Sequence, residues 1–326
     1  MAFPLMPGYD HINVVADLDP VAAMRDKDLG DRMREYPRFI TGGGPDFGFA
    51  IQSGTTWRIG TVGGDDPYGA RIGLASHLRV EARERETDRE VRRAMLAAAG
   101  KLDPESGEQL AKDEWEIGDK RYRLVRAEKF ILIGDRVMEP PRPTDVDPPS
   151  SGASLLEGHP IDPLAPAGVW EARMRMNLVG WVPPLPEPVP EAVMTEARHA
   201  IRTHPGVILL PPEFNVVEFD GDSVSQITGA DGPERARTNL AFHFVEALPR
   251  IRAWEGAPAT PGELAEWKKA AEQVEASPGP VFEVLGRRYC IVRISRMMRV
   301  GRDGPEGPRP SDQERYGWPR NPQPQA

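Results

Sequence analysis

Cysteine, lysine and long apolar runs are scarce in this sequence. Its 326 residues include a single cysteine, Cys290, which excludes an internal disulfide bond and a zinc site built from cysteines. No apolar run approaches the roughly 18 residues of a membrane-spanning helix. The first ten residues lack the basic start and long apolar core of a secretory signal. We therefore expect a cytoplasmic protein with no membrane association.

The charge balance is acidic. The formal net charge is −9 and the pI is about 5.4, which argues against non-specific binding to nucleic acid or anionic lipid. Only seven of the 41 basic residues are lysine. This excess of arginine fits a GC-rich genome, and it also fits a need to hold anions with the two-pronged guanidinium group.

The sequence repeats itself at a spacing of 167 residues. Residues 115–145 read WEIGDKRYRLVRAEKFILIGDRVMEPPRPTD and residues 282–312 read FEVLGRRYCIVRISRMMRVGRDGPEGPRPSD, with eleven of 31 positions identical. About two identities would arise by chance at ordinary composition. The match extends upstream, where PYGARIGLASHL at 67–78 is similar to PERARTNLAFHF at 233–244. We infer a tandem duplication.

The duplication predicts two copies of an α+β domain with the order β-α-β-β-α-α-β-β. The sheet is expected to be mostly antiparallel, and the copies to be related by a pseudo-two-fold axis. The predicted copies span residues 9–145 and 169–312. A proline-rich linker over 146–168 should be extended and poor in core residues. Residues 313–326 are predicted to be disordered.

Local patterns predict the elements of each copy. Residues 11–17 have β-rich composition, and residues 170–179 alternate polar and apolar side chains, so both are expected to be strands. Helices are predicted at about 20–35, from Pro67, at 88–102, at 187–204, from Pro233 and at 261–275. Short strands are predicted near 47–52 and 56–61. Each copy then ends in a hairpin whose long strand stops at Gly134 or Gly301.

A stripe of polar side chains recurs on the long strand that closes each copy. Tyr122 and Arg126 in the first copy, like Tyr289 and Arg293 in the second, lie four residues apart and therefore on one face of the strand. Such arginines suit a carboxylate or a phosphate. The alternative is a solvent-facing sheet surface with cross-strand salt bridges.

An arginine and a histidine recur on the helix that starts at each repeated proline. Arg71 and His77 correspond to Arg237 and His243. A separation of six residues places the two side chains of each pair about 240° apart, on different helix faces. Each histidine is either a general base or polar anchor in a pocket, or a packed residue of the inner helix.

A proline-rich segment closes both copies. Residues 140–145 read PPRPTD and residues 307–312 read GPRPSD, a composition typical of polyproline conformation. Either a partner with an aromatic groove binds this segment, or the segment folds back over its own domain, with Asp145 and Asp312 starting a turn. Its recurrence indicates that it belongs to the domain and not to the linker.

These repeated pieces resemble a family of unknown function found in filamentous, GC-rich actinobacteria. The resemblance rests on DPVAAMRD and YPRF within residues 19–39, on YRLVRAEKFILIG, and on the closing PRPTD and GPRPSD segments. It covers nearly the whole chain and implies a bacterial, cytoplasmic setting. It carries no activity and no catalytic residue.

The repeated polar residues include no activated nucleophile and no metal-ligand spacing. We therefore predict a non-catalytic binding or scaffolding protein without metal or cofactor. Its partner is expected to be another protein, or a small anionic ligand held between the copies. Homo-oligomers are compatible with this prediction. The alternative is an enzyme acting on a small anionic metabolite, with arginine clamps and His77 or His243 as the base.

Overall fold

The chain folds as an α+β protein with a mostly antiparallel sheet. The computed structural model describes residues 12–104, 109–135, 137–150, 152, 154–183, 189–220 and 223–312. The predicted disordered tail, His11, Gly221 and Asp222 lie outside these ranges. None of the helices in the described ranges combines the length and apolar character that crossing a bilayer requires.

The elements up to residue 138 alternate between the sheet and its helical cover. They are β1 (Asn13–Val14), α1 (Pro20–Glu35), β2 (Arg38–Thr41), β3 (Asp46–Ser53), β4 (Thr56–Gly64), α2 (Pro67–Glu84), α3 (Arg89–Leu102), β5 (Glu114–Ile117), β6 (Lys120–Gly134) and β7 (Val137–Met138). The helix starts follow local chemistry. Asp19 caps α1 and Asp66 caps α2 by accepting backbone N–H groups, and each is followed by a proline in the first turn.

The elements after residue 159 include a second set of similar order. They are β8 (Pro160–Ile161), β9 (Pro166–Ala167), α4 (Val169–Val179), α5 (Glu191–Thr203), β10 (Gly206–Asp220), β11 (Ser223–Ala230), α6 (Pro233–Phe242), a π-helical turn (His243–Ala247), α7 (Leu248–Trp254), α8 (Pro261–Ala276), β12 (Val281–Val284), β13 (Arg287–Gly301) and β14 (Gly304–Pro305). A capping box between Thr260 and Glu263 starts α8.

One sheet runs through both halves of the chain, which we define as residues 12–145 and 169–312. Its main path follows the order β11-β10-β13-β6-β3-β4-β8, and every pairing along it is antiparallel. The long strands β6 and β13 meet at the centre. There Lys129 lies opposite Arg296, flanked by the pairs Phe130–Ser295 and Glu128–Met297.

The hydrophobic core consists of four clusters, two of which draw on both halves. In the first half, α2 and α3 pack Leu74, Leu78 and Met95 against Phe49 and Tyr122. In the second half, α6 and α8 form an equivalent cluster over β10 and β13. Two further clusters lie where the halves meet and draw on both: Val125 with Ile208 and Met298, and Phe130 with Met174 and Val207.

The prediction of a strand over residues 170–179 is wrong, because these residues form α4. Its buried side chains include Ala172, Met174, Arg175 and Leu178, a helical spacing that local alternation of polar and apolar residues masks. The start of the helix depends on a distant partner. Asp26 of α1 accepts the backbone N–H groups of Trp170 and Glu171, and such tertiary contacts override local propensity.

The predicted strand at 11–17 and the predicted linker also differ from expectation. Only Asn13 and Val14 form a strand, which pairs with β9 in parallel and not with the main sheet. The linker is not poor in core residues. Leu156 and Ile161 are buried, and Pro160–Ile161 adds a strand beside β4. The linker is therefore part of the folded body.

Candidate binding cavity between the two halves

Arg126 of β6 binds the end of the other half. Its side chain is buried, and its Nε lies 3.0 Å from both carboxylate oxygens of Asp312. Its Nη1 contacts Glu128, and its backbone N–H donates to the carbonyl of Glu306 at 3.0 Å. The second closing segment, residues 306–312, therefore lies across the strand of the first half.

Arg293 of β13 makes the corresponding contacts with the first half. Its Nε lies 3.0 Å from Asp145 Oδ2, its Nη1 donates to the Ser295 hydroxyl at 2.6 Å, and its backbone N–H donates to the Glu139 carbonyl at 2.8 Å. The first closing segment, residues 139–145, thus lies across the strand of the second half. The alternative in which each segment folds over its own domain is therefore wrong, because the two segments are exchanged between the halves.

Each closing segment contributes an arginine of its own, which completes a small ion cluster. Arg142 Nε donates to Glu139 at 2.6 Å, and its backbone N–H donates to Asp145 at 2.7 Å. Arg309 does the same with Glu306 and Asp312, at 2.7 and 2.6 Å. The carboxylates that Arg126, Arg293, Arg142 and Arg309 bind therefore belong to the chain itself.

The two clusters differ in one acidic side chain. In the first cluster, Glu128 contacts Arg126 and lies 3.4 Å from Arg309 Nη2. Desolvation lowers the pKa of Arg126, but Glu128, Asp312 and Glu306 outweigh it and the pKa is raised. Ser295 occupies the corresponding place in the second cluster.

Without that carboxylate, the charge of Arg293 is less well supported. Burial lowers the pKa of Arg293, and the like charge of Arg142 lowers it further. Asp145 and Glu139 act in the opposite direction without reversing the shift. The second cluster therefore holds two adjacent guanidinium groups with fewer carboxylates around them.

The two tyrosines of the predicted stripe, Tyr122 and Tyr289, lie in hydrophobic clusters beneath the helices. Tyr122 lies under α2 and α3, and burial raises its pKa. Among the described residues its hydroxyl has no hydrogen-bond partner. Burial, with the nearby Glu218, raises the pKa of Tyr289 to about 12. These hydroxyls are therefore core groups and do not extend the arginine clusters.

The repeated helix arginines anchor the hairpins. Arg71 Nη2 lies 2.7 Å from Asp113, just before β5. Arg237 pairs with Glu234 at 2.9 Å, donates to the carbonyl of Gly279 at 3.2 Å, and lies over the ring of Phe282. Each arginine therefore links the inner helix to the segment that precedes the closing hairpin, which is a structural role.

The repeated histidines pack against aromatic rings. His77 contacts Phe49 and Tyr122, with ring centroids 5.1 and 6.2 Å apart, and His243 contacts Phe244 at 5.7 Å. Desolvation lowers the pKa of both imidazoles. The contacts of Arg126 are with acidic groups of the closing segment and β6, so the structure does not join these histidines and arginines in one site.

A charged cluster that sequence reasoning missed lies where β6 and β13 cross. Lys129 Nζ is 2.6 Å from Asp46, and Arg296 Nη1 is 3.4 Å from Glu213. Burial and the charge of Asp46 raise the pKa of Glu213. The sequence signal was present, since PDF at 45–47 and PEF at 212–214 place both acids at the repeat spacing.

A cavity of about 530 Å³ lies between the two halves. Its wall combines α1, the first closing segment, the linker, α4 and β10. Apolar side chains form much of the wall, including Leu18, Leu29 and Ile208. Charged side chains of both signs also line it: Arg25, Asp26, Arg142, Asp145, Asp162, Glu171, Arg175 and Arg293. Small-molecule sites are concave, mostly apolar and about 300–1,000 Å³ in volume, often at domain interfaces. This cavity has those features.

The remaining chemistry of the described residues is limited. No group of three or more histidine, cysteine, aspartate or glutamate side chains there is arranged to hold a metal ion. Burial raises the pKa of the Cys290 thiol, which lowers the fraction of reactive thiolate at neutral pH.

Comparison with known proteins identifies a family. No curated protein and no solved structure is similar to the chain. A family model described as a family of unknown function (DUF5954) matches residues 19–315. The exchanged closing segments, both arginine clusters and all of the cavity wall except Leu18 lie within the matched residues. The chain therefore belongs to this family of unknown function.

Proposed function

We propose that the protein is a non-catalytic, cytoplasmic binding protein that holds a small organic molecule in the cavity between its halves. The cavity is the observation that carries the proposal, because its volume and mostly apolar wall suit a small ligand. The repeated polar residues support a non-catalytic role. Arg71, Arg126, Arg237 and Arg293 are all engaged in contacts within the chain.

We further propose that the halves are duplicated copies of one domain, related by a pseudo-two-fold axis. Lys129 lies opposite Arg296, which is its own counterpart at the repeat spacing of 167. When each residue is replaced by its counterpart at the same spacing, the flanking pair Phe130–Ser295 becomes the other flanking pair, Glu128–Met297. A register that is unchanged when the halves are swapped supports a two-fold axis through the central pair.

The exchanged ion pairs follow the same rule. Arg126 binds Asp312 and Arg293 binds Asp145, and each partner maps onto its counterpart at the repeat spacing. Reciprocal contacts of this kind are the signature of an isologous interface between like units. Under this proposal, the cavity lies at a junction between the two duplicated copies.

The enzyme alternative requires a base beside the arginines. His77 and His243 have aromatic neighbours, and neither takes part in the arginine clusters. The binding proposal requires no such group. A protein partner in place of a small ligand, or a homo-oligomer, remains an outcome that the following experiment detects.

Native mass spectrometry of protein purified gently from its own host tests the proposal. We expect a stoichiometric small molecule that is released on denaturation. The variant Ala22→Trp should lose it, because Ala22 lines the cavity and tryptophan would fill the space. Ala23→Trp is the matched control, since its neighbour Ala23 is exposed.

Two results would contradict the binding proposal. One is wild-type protein that carries no small molecule but has a stoichiometric protein partner or forms a bare assembly. The other is a retained molecule present to the same extent in Ala22→Trp and Ala23→Trp, which would place it outside the cavity. Turnover of the retained molecule by the pure protein would favour the enzyme alternative.

A further inference from the structure

The two arginine clusters give an internal comparison, because one of them is complete. Arg126 and Arg309 share Glu128, which contacts Arg126 and lies 3.4 Å from Arg309 Nη2. Asp312 and Glu306 supply two more carboxylates. Three carboxylates therefore surround two guanidinium groups, and one of them, Glu128, contacts both arginines.

The cluster formed by Arg142 and Arg293 lacks the shared carboxylate. Ser295 stands at the place of Glu128, and its hydroxyl accepts one hydrogen bond from Arg293 Nη1. Asp145 accepts from Arg293 Nε, and Glu139 accepts from Arg142 Nε and Nη2. Among the described residues, the side-chain hydrogen bonds of Arg293 come from Nε and Nη1, and those of Arg142 from Nε and Nη2. Donors of both arginines are thus left for an added acceptor.

The incomplete cluster is the one that meets the cavity. Arg142 and Arg293 both belong to the cavity wall, beside Leu18, Leu29, Ile208 and Leu210. The side chain of Arg142 is 9% exposed and Arg293 is 8% exposed. A ligand there meets the ion-paired guanidinium groups of Arg142 and Arg293 together with apolar side chains.

We propose that Arg142 and Arg293 bind the carboxylate of a small organic acid, whose apolar body fills the cavity. The inference rests on the proposed function and names its ligand class. The ligand carboxylate would contact both arginines, as Glu128 contacts Arg126 and Arg309 in the first cluster. A carboxylate matches a guanidinium in geometry and charge, and charge-assisted hydrogen bonds in a desolvated site are strong and selective. The apolar wall disfavours a ligand that is charged throughout.

The test uses intact protein, freed of bound small molecules by partial unfolding, dialysis and refolding. Its thermal midpoint is followed during titration with hexanoate and benzoate, and with hexanamide and benzamide as neutral matches. Inorganic phosphate is a separate arm that distinguishes anion binding in general from binding of an organic acid. We expect the carboxylates to raise the midpoint, and the amides and phosphate to have at most a small effect.

Substitutions at Ser295 connect the response to this cluster. Ser295→Glu supplies the missing carboxylate from within the chain, as in the first cluster, and should abolish the response to hexanoate and benzoate. Ser295→Ala is the matched control, which removes the hydroxyl but adds no charge and should retain the response. If Ser295→Glu does not fold, Arg142→Met replaces it and should weaken carboxylate binding roughly tenfold to a hundredfold.

The outcomes separate this inference from the binding proposal. Amides that act as strongly as carboxylates, or an unchanged response in folded Ser295→Glu, would overturn the carboxylate assignment. A neutral molecule retained from the host, with no response to carboxylates, would overturn the assignment and leave the binding proposal standing. Protein that retains nothing and responds to no probe would overturn both.

Discussion

At the scale of single residues, the buried arginines have the largest expected effect on stability. Arg126, Arg293, Arg296 and Arg299 are each less than a tenth exposed, and burying a charge without partners costs several kcal/mol. The chain meets this cost with its own carboxylates and carbonyl groups. Removing one partner is therefore expected to cost more than the net stabilisation that the intact pair provides.

Replacing Arg126 with methionine should destabilise the protein by about 3–5 kcal/mol, because it leaves Glu128 and Asp312 buried without their main partner. Arg293→Met should cost less, since only Asp145 loses a charged partner there. Urea unfolding of the two variants measures the difference. Equal losses, or a larger loss for Arg293→Met, would contradict the described difference between the clusters.

The buried imidazoles predict a loss of stability in mild acid. Desolvation lowers the pKa of His77 below its ordinary value of 6.5. Its contribution to stability is therefore fully present above pH 6.5, and is lost as the pH falls through the lowered folded-state value. His77→Phe should lose less unfolding free energy than the wild type between about pH 7 and about pH 5.

His199, which is exposed on α5, provides the control for that measurement. His199→Phe should show the same pH dependence as the wild type. Denaturant unfolding at a series of pH values gives both profiles. A profile of His77→Phe that parallels the wild type would show that this imidazole does not contribute to the acid sensitivity.

At the scale of elements, strong local signals predicted the structure well. The helix over 20–35 and the long strands ending at Gly134 and Gly301 were predicted with close to their observed bounds. Their caps, apolar periodicity and turns lie within a few residues of the element itself. Where the decisive partner is distant, as in α4, the prediction was wrong.

The π-helical turn has a local cause that the prediction overlooked. Pro249 has no backbone N–H and crowds the carbonyl four residues before it, so a regular α-helix cannot run through this point. The chain widens over His243–Ala247 before α7 begins. The first half has no proline at the corresponding place, and α2 continues to Glu84.

The N-terminal cap of α4 gives a prediction at this scale. Asp26→Ala removes the side chain that accepts the Trp170 and Glu171 N–H groups and should cost about 1–2 kcal/mol. Asp17 is exposed, and Asp17→Ala should change stability by less than about 0.5 kcal/mol. Thermal unfolding compares them, and an equal effect would mean that the cap does not stabilise α4.

At the scale of the whole molecule, the exchanged closing segments join the halves into one unit. Neither the exchange nor the cavity could be predicted from sequence. A local pattern indicates that PPRPTD and GPRPSD are extended, but it does not indicate which of two similar strands each will cover. The cavity depends on that choice, on α4 and on the linker together.

Because the closing segments join the halves, a substitution in one segment should affect amide hydrogen exchange in both halves. Asp312→Asn weakens the contact with Arg126 and should speed amide hydrogen exchange in both halves, including the helices that carry Leu74 and Leu240. Hydrogen exchange followed by mass spectrometry resolves the two regions. Faster exchange confined to one half would show that the halves open independently, contrary to a shared sheet and core.

The exchange also sets the order of events during synthesis. Arg126 and Asp312 are separated by 186 residues, which a bacterial ribosome takes about 10–40 s to add at about 5–20 residues per second. Strand β6 is therefore made well before the segment that covers it. The first half completes its native contacts only after residues 306–312 have left the ribosome. Translation of these residues therefore limits when the first half can finish folding.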